Sequence, residues 1–583
     1  MKQLISSVIV LLAAIIALPA GAATLPDGEA AIQFKSKRGA RSTESTRYVQ
    51  VYLKSAVAGK TFYMAIDEDT VVEYSMVKAA TLYNKKITVD KEEVTVRIWG
   101  DSISFINFNT MDAYDVVIGE DGKNTITELR CQNDSITSLD FINDMKALTY
   151  IYVGNNKCLK EININSDVLE RCVLNDQPSV ESITVEGANI YEFDFTDTEL
   201  NQTVDLSKCP KLQKITMTKS YALKNFTLGT HDELTSISLN YAQIDSLELN
   251  NLPALSSVTV NYCDSLKHFA VSNCPSLTTL YLSYNGFEEF SLGQEASSVT
   301  SLRLDGSPVE SISLDLPNLV SLYCDYTNLK TADLSKLPAL KNARLRYGVL
   351  ESVTLNDTAL ANTLSGLYVN ENNMALADIP PRGPQMQAST SYTAAYNYYA
   401  PQNPIAIDKD QYVDQTLDLS KYTYGRLYDS DSVVASTITL ITKFEEELVQ
   451  GTDYSVADGV YTFLKSCEDS VMVIVTNEEF DWFKTYTSSG TTYDYRLVSN
   501  YFLINDAPTG ITGVEAKTGL RVSTPGRCQM TVTGADGERL AVYDLTGRMV
   551  GSQMASGQTT LTVPAPGVYI VAAGGERRKV LVK

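Results

Sequence analysis

From Leu234 to Pro253 the chain reads LTSISLNYAQIDSLELNNLP. Apolar residues fall at Leu234, Ile237 and Leu239, and the same spacing returns at Ile244, Leu247 and Leu249. Within each half, alternate residues point to one side, as in a strand. Take the middle apolar residue of each first half as an anchor. The anchors are then Leu129, Ile151, Cys172, Phe193, Ile215, Ile237, Val258, Leu280, Leu302, Leu322, Ala343 and Leu367, at intervals of 20 to 24 residues. Second-half anchors run from Leu139 through Ile162, Ile183, Val204, Phe226, Leu247, Phe269, Phe290, Ile312 and Ala332 to Val353. A fixed period of this length predicts stacked turns of a solenoid. One turn buries about six apolar side chains at roughly 1.5–3 kcal/mol each, and ordering its backbone costs about 1–2 kcal/mol per residue. A lone turn therefore cannot hold itself, and stacking supplies the rest.

The flanks keep strand character but lose the period. Residues 23–120 carry RYVQVYLKS, TFYMAID and EEVTVRIWGDSISFINF, which predict a β cap over the open end of the core. After the repeats, a proline-rich polar stretch beginning IPPRGP marks a boundary near residue 395. Short alternating strands at 396–506 then suggest an immunoglobulin-like β-sandwich, without the Cys…Trp…Cys spacing of antibody domains. DAPTG at 506–510 reads as a linker to a final segment, 511–583. The predicted fold class is thus mainly β: a solenoid over 121–395, an N-terminal β cap, a sandwich and a small C-terminal sandwich.

Two segments resemble known families. LTYIYVGNN and LTTLYLSYN fit L-x-x-L-x-L-x-x-N, and TVDLSKCP and LKTADLSKLP resemble the second halves of the short 21-residue leucine-rich repeats of secreted bacterial proteins. The Asn position, five after the anchor, is kept at Asn156 and Asn285 but is Thr198, Ala242 or Cys263 elsewhere, so the asparagine ladder is expected to be incomplete. At the other end LAVYDLTGRMV, PAPGVYIV and RKVLVK resemble a type IX secretion C-terminal sorting domain, with Asp544, Leu545 and Gly547, then Gly567, Tyr569 and Val571, then Lys579, Val580, Val582 and Lys583 at the motif positions. That resemblance implies recognition by the secretion machinery, passage across the outer membrane, and release or surface attachment. The alternative is a terminal sandwich that only packs.

Residues 1–22 read as a signal peptide: Lys2, an apolar run from Leu4 to Leu18, then Ala20-Gly21-Ala22. The expected location is therefore secreted or on the outer-membrane surface. A formal charge of −22 excludes a nucleic-acid partner for the chain as a whole. The charge is uneven: from Ile511 onward nine Lys/Arg face five Asp/Glu, a net of +4 that leaves −26 for the rest.

Nine cysteines in an exported chain raise the question of disulfides. Cys131 and Cys324 fall on inward positions, and Cys172 is an anchor. Cys209 and Cys274 share a slot three turns apart, about 14 Å by strand spacing, beyond bridging reach. They read as small buried apolar residues. Metal binding is the alternative, but there is no C-x-x-C and only His231 and His268 are available, both expected at the surface.

Catalytic motifs are missing from the sequence: no H-E-x-x-H, G-x-S-x-G or phosphate loop. No catalytic residue, metal ligand or cofactor is assigned, and the chain reads as non-catalytic. What does stand out is a pair of columns. Four residues after successive anchors come Tyr241, Tyr262, Tyr284, then Gly306, then Tyr326 and Tyr347. One residue after the later anchors come Tyr281, Arg303, Tyr323, Arg344 and Tyr368. Tyrosine and arginine are the residues enriched in binding surfaces. Two readings stand: the columns dock an extracellular protein, or they only stack for stability. A glycan is the alternative ligand class. A hydrolase built on an acidic pair is a third reading, and it requires two clustered carboxyls in a cleft.

Overall fold

The computed structural model describes residues 24–37, 48–68, 70–199, 203–386, 399–428, 432–478, 480, 482–506, 520–526, 528–573 and 576–582. The expected leader, part of the expected boundary segment (387–398), most of the expected linker (507–510) and Lys583 lie outside the described residues.

Every first-half anchor lies in register with the next. Leu129 pairs with Ile151, Ile151 with Cys172, and so on through Ile237, Val258 and Leu280 to Leu367. The twelve strands that carry them, Glu128–Gln132 to Gly366–Tyr368, form one parallel ladder. Its burial alternates, as at Ser236–Asn240 and Ser257–Asn261, because a strand presents successive side chains to opposite faces. The anchors and the residues two further on face the core. The residues between them face out.

The ladder begins earlier than the repeat does. Ile103–Asn107 pairs in parallel with Glu128–Gln132, placing Ile106 beside Leu129 as a further rung. Tyr48–Ser55 and Tyr83–Thr88 then extend the same sheet antiparallel, to fifteen strands. The cap is therefore continuous with the solenoid sheet. A second sheet, ordered Thr70–Met76, Lys60–Ile66, Val94–Trp99, Ile32–Ser36, Ala113–Ile118, lies over the end of the core, with the Phe34 and Phe108 rings stacked at 4.9 Å.

The second halves behave differently. Ile162, Ile183, Val204 and Phe226 stay in register across four short strands. Beyond them the ladder breaks into the pairs Leu247–Phe269, Phe290–Ile312 and Ala332–Val353. A sheet kept whole on one side and interrupted on the other is what a bent rod requires, since the outer arc must lengthen while strand spacing stays near ~4.8 Å.

The asparagine slot is degenerate in sequence and the ladder is incomplete as expected, with Thr198 Oγ1 unpartnered and no side-chain donor at Ala242 or Gly348, but other residue types fill it in several turns. Asn156 Nδ2 donates to the carbonyls of Cys131 and Gly154, and Gln177 Nε2 to those of Val153 and Asn175. Asn285 Nδ2 donates to Val260 O, Ser307 Oγ to Leu282 O, Thr327 Oγ1 to Cys324 O, and Asn372 Nδ2 to Leu345 O. Of the three departures, Cys263 accepts from Ala242 N at 3.3 Å and donates to Asn261 O at 3.5 Å through its thiol, whereas Thr198 Oγ1 meets no partner. Any short polar group that reaches an orphan carbonyl satisfies the slot.

In the first turn this slot holds Asp134, 4% exposed, whose Oδ1 accepts from the amides of Met111 and Ala113 while Oδ2 meets no partner. Burial pushes its carboxyl well above the ordinary 3.8, and the nearby Asp112 adds to this. The native state thus holds a proton that the unfolded chain releases. Its contribution is most favourable near and below pH ~4 and is lost as pH rises through the raised native value. Asp134→Asn keeps the accepting oxygen and removes the titration. Urea midpoints for the two proteins should diverge in favour of the variant between pH 5 and 8. A constant difference at both values would exclude this account.

All nine cysteines are unbridged. Burial raises the Cys209 and Cys263 thiols to about 11, as expected for core residues. Cys158, which the repeat register leaves unassigned, is exposed, and Cys467 and Cys528 are half-buried. His231 departs from its expected place, being fully buried rather than at the surface. Its Nε2 accepts from Gly229 N at 3.1 Å, and burial lowers its pKa. It closes a loop between half-turns. His268 is exposed, as expected.

After the last rung, strands at Asp410–Tyr412, Phe502–Asn505, Cys467–Thr476 and Thr437–Thr442, with Leu497–Val498, face a second sheet of Thr416–Asp418, Val460–Phe463 and Tyr454–Ala457. Their core, with Leu440, Phe463 and Val473, is continuous with the solenoid core. The described residues between 520 and 582 form two further sheets around a separate core that includes Met530, Leu540, Val542 and Val571.

Candidate functional site: the concave sheet face

The anchor-plus-four column is set by backbone geometry. Each strand of the parallel ladder is followed by a residue with positive φ, four after its anchor: Asn133, Asn155, Asp176, Asp197 and Lys219, then Tyr241, Tyr262, Tyr284, Gly306, Tyr326, Tyr347 and Glu371. The left-handed turn lets the chain leave the strand while the amide stays in the ladder; Tyr284 N donates to Asp305 O at 2.7 Å and Tyr326 N to Arg346 O at 2.8 Å. The early turns mostly use Asn and Asp, which tolerate this conformation. The later turns use tyrosine, whose φ values lie between 57° and 60°. An L-residue with a bulky side chain costs of order 1–3 kcal/mol there.

The rings form two stacks. Tyr241 and Tyr262 are 4.8 Å apart, Tyr262 and Tyr284 4.6 Å, and Tyr326 and Tyr347 4.5 Å, each pair within 6° of parallel. Stacking returns about 0.5–1.5 kcal/mol per pair and offsets part of the strain. It does not cover the rings: Tyr241, Tyr262, Tyr284 and Tyr326 stay 39–55% exposed.

The anchor-plus-one column lies on the same face. The Arg303 guanidinium sits 4.7 Å from the Tyr281 ring centre and 4.5 Å from that of Tyr323, and Arg344 lies 5.5 Å from Tyr323. The alternation Tyr281–Arg303–Tyr323–Arg344 is a cation–π ladder. Tyr368 occupies the next rung.

Between the columns, three after each anchor, run Asn240, Asn261, Ser283, Asp305 and Asp325. Most of these cap the next turn. Asn240 Oδ1 accepts from Asn261 N, Asn261 Oδ1 from Ser283 N, Asp305 Oδ1 from Asp325 N and Asp325 Oδ1 from Arg346 N. Asp325 also holds Arg346 through Nη2 at 2.6 Å and Arg344 at 3.1 Å. Burial raises the Asp305 carboxyl, with Asp325 adding to the effect. Asp305, Asp325, Arg344 and Arg346, with Tyr284, Tyr323 and Tyr326, line an open cavity of about 400 Å³.

A second aromatic and cationic cluster near the N-terminal end escapes the sequence reading. Arg130 lies 5.7 Å from the Phe105 ring, 5.5 Å from Tyr150 and 5.9 Å from Tyr152, and Arg171 lies 4.5 Å from Tyr150. Glu128 and Glu192 pair with the two arginines. Arg130 and Tyr152 occupy the same anchor-plus-one slot as Arg303 and Tyr323, so applying that column rule to the first turns finds them. Phe105 is found only once Ile106 is known to be a rung.

In the C-terminal segment, the motif residues have local tasks. Asp544 Oδ1 accepts from Thr546 N and Arg548 N, and Gly547 has φ of 82°, so together they close the turn between Arg539–Asp544 and Met549–Met554. Tyr569 is buried, and its hydroxyl donates to Ala565 O at 2.8 Å. Gly567 opens the strand Gly567–Ala573, and Lys579 is exposed on the neighbouring strand.

No protein-family model matches the chain, and no curated protein matches it significantly. Among solved structures it is similar to the functional domain of InlJ from Listeria monocytogenes, which includes a cysteine ladder. That match has 13% identity, covers 66% of this chain and 92% of the other, and has a TM-score of 0.30. It is also similar to an internalin-like protein of the same organism, with 11% identity, 68% and 91% coverage and a TM-score of 0.26.

Proposed function

We propose that the protein is exported and acts, without catalysis, by docking an extracellular protein on the concave face of its leucine-rich solenoid. The observation that carries this reading is the run of tyrosines held in left-handed backbone with exposed rings. Strain is retained where Asn would relieve it, as it does at Asn133 and Asn155. Stacking for stability alone would favour covered rings. The leader and the C-terminal sorting motif support a route across both membranes to the cell surface or beyond, with the C-terminal segment as the part offered to the secretion machinery. Adhesion to a host or neighbouring cell is the role this placement suits.

A second reading, glycan binding, is favoured by one feature: the carboxyls of Asp305 and Asp325 share a cavity with Tyr323 and Tyr326. The same pair is what a hydrolase would need. What supports the non-catalytic reading is that both carboxylates already cap backbone amides, and Asp325 is bridged by two arginines.

The test is a binding screen of the purified protein against extracellular-matrix proteins and soluble oligosaccharides. Alongside it runs a variant carrying Tyr281→Ala, Arg303→Ala, Tyr323→Ala and Arg344→Ala. A protein ligand should bind the variant at least about tenfold more weakly, since buried Tyr and Arg anchors carry most interface energy. A ligand held equally by both proteins places function elsewhere. A soluble oligosaccharide as the only ligand selects the glycan reading.

A further inference from the structure

The tyrosine ladder has one missing rung. Tyr241, Tyr262 and Tyr284 stack continuously, as do Tyr326 and Tyr347, while Gly306 stands between the two stacks. Gly306 keeps the left-handed backbone of the column, with φ of 70°, and donates its amide to Asp325 O at 2.8 Å. The rung is therefore present in the backbone and absent only as a side chain. A Cβ at this position would come within 2.3 Å of the Tyr284 ring, which leans over the glycine.

The spacing gives the gap a size. Two strand rises separate Tyr284 from Tyr326, about 9.6 Å. That is twice the 4.5–4.8 Å between rings elsewhere in the ladder, so the backbone leaves room for one further planar ring once the Tyr284 ring, which leans over Gly306, swings back to the parallel stacking of its neighbours. The surroundings suit an aromatic group. Tyr284 and Tyr326, the flanking residues, stay 40% and 55% exposed. The gap opens on the cavity lined by Arg303, Asp305 and Arg346. Arg303 Nε is buried there without a hydrogen-bond partner, between the Tyr281 and Tyr323 rings.

We infer that the Gly306 gap is a receptor for one aromatic side chain of the docked protein, which completes the ladder between Tyr284 and Tyr326. The inference rests on the docking reading above and makes it specific. A tyrosine or tryptophan on a protruding loop or strand of the partner enters over Gly306. The Tyr284 ring closes on one face of it and Tyr326 on the other.

The probe is N-acetyl-tryptophanamide, followed by saturation-transfer NMR on the full protein, with methyl β-glucoside as a non-aromatic control. Gly306→Tyr fills the rung with the protein's own ring, in a backbone conformation its neighbours already adopt. Tyr326→Ala removes one wall and serves if the first variant unfolds; circular dichroism and melting confirm folding in both. The wild type should show a saturable response, reduced at least tenfold in either variant, and none with the glucoside. Equal responses in wild type and folded variants, no response in the wild type, or a glucoside response as strong as that of the indole would each overturn the proposal.

The partner screen separates this from the wider reading. A partner that binds Gly306→Tyr as well as wild type leaves docking intact and refutes the receptor. Rung-dependent probe binding with no protein ligand leaves the aromatic slot and refutes docking.

Discussion

Phe193→Ala should destabilise the protein by about 3–5 kcal/mol, the range for emptying a buried aromatic site. Phe193 is fully buried, lies 6.1 Å from Phe195, and stands in register between Cys172 and Ile215. A solenoid turn touches only its neighbours, so the lost contacts cannot be recovered elsewhere. The damage should also be located. With the interface between the Cys172 and Ile215 turns weakened, urea unfolding should separate into two steps, because cooperativity along a repeat array depends on each interface being strong enough to couple its sides. Hydrogen exchange should show amides of the turns nearest residue 193 opening first. A uniform rise in exchange along the array, or a loss below about 1 kcal/mol, would mean that the core repacks around the gap.

That local character is also why so much of the fold is legible in the sequence. Each anchor must be apolar, since it sits between two others at a fixed rise, and the twelve anchors named from spacing all pair with one another. Ile106 escapes the sequence reading although its 23-residue distance to Leu129 fits the period, because its strand belongs to the segment read as a cap: Tyr48–Ser55 pairs with it from the other side. His231 was misplaced because a lone polar residue in a turn gives no sign that the turn folds inward. The polar slot is partly refilled, because the backbone accepts any donor of suitable reach, as at Gln177, Ser307 and Thr327, and it stays broken at Thr198 and Ala242.

The candidate site was half legible. Column membership of Tyr241, Tyr281 and Arg303 follows from counting. Left-handed backbone at the tyrosines does not, because tyrosine is not a residue that announces it. The first turns do announce it, through Asn133, Asn155, Asp176 and Asp197, and the register carries the inference forward to Tyr241 and beyond. What counting cannot supply is which carboxylates are engaged. Nothing in the sequence singles out Asp305 and Asp325 among the many acids, and hydrogen bonding makes them part of the scaffold.

Asp325→Ala should cost about as much as the core truncation, about 3–5 kcal/mol, for an electrostatic reason. Asp325 is 5% exposed and accepts from Arg346 three times, through the amide at 3.0 Å, Nε at 3.1 Å and Nη2 at 2.6 Å. Removing it leaves a guanidinium that is itself largely buried, and a backbone amide, with no acceptor. Asp325→Asn keeps the amide cap and loses the charge, so it should fall between wild type and alanine. The double change Asp325→Ala with Arg346→Met should recover a large part of the loss, because an apolar pair of similar volume removes the uncompensated charge. If the double variant is no more stable than Asp325→Ala alone, the cost lies in the lost backbone cap rather than in the stranded arginine. The binding readout then separates scaffold from surface. Arg344 depends on Asp325 for one contact, but Arg303 is held between Tyr281 and Tyr323. Partner affinity in the stabilised double variant should therefore fall less than in the fourfold variant that removes the tyrosines and both arginines. An equal fall would make the carboxylate, rather than the aromatic ladder, the group the partner reads.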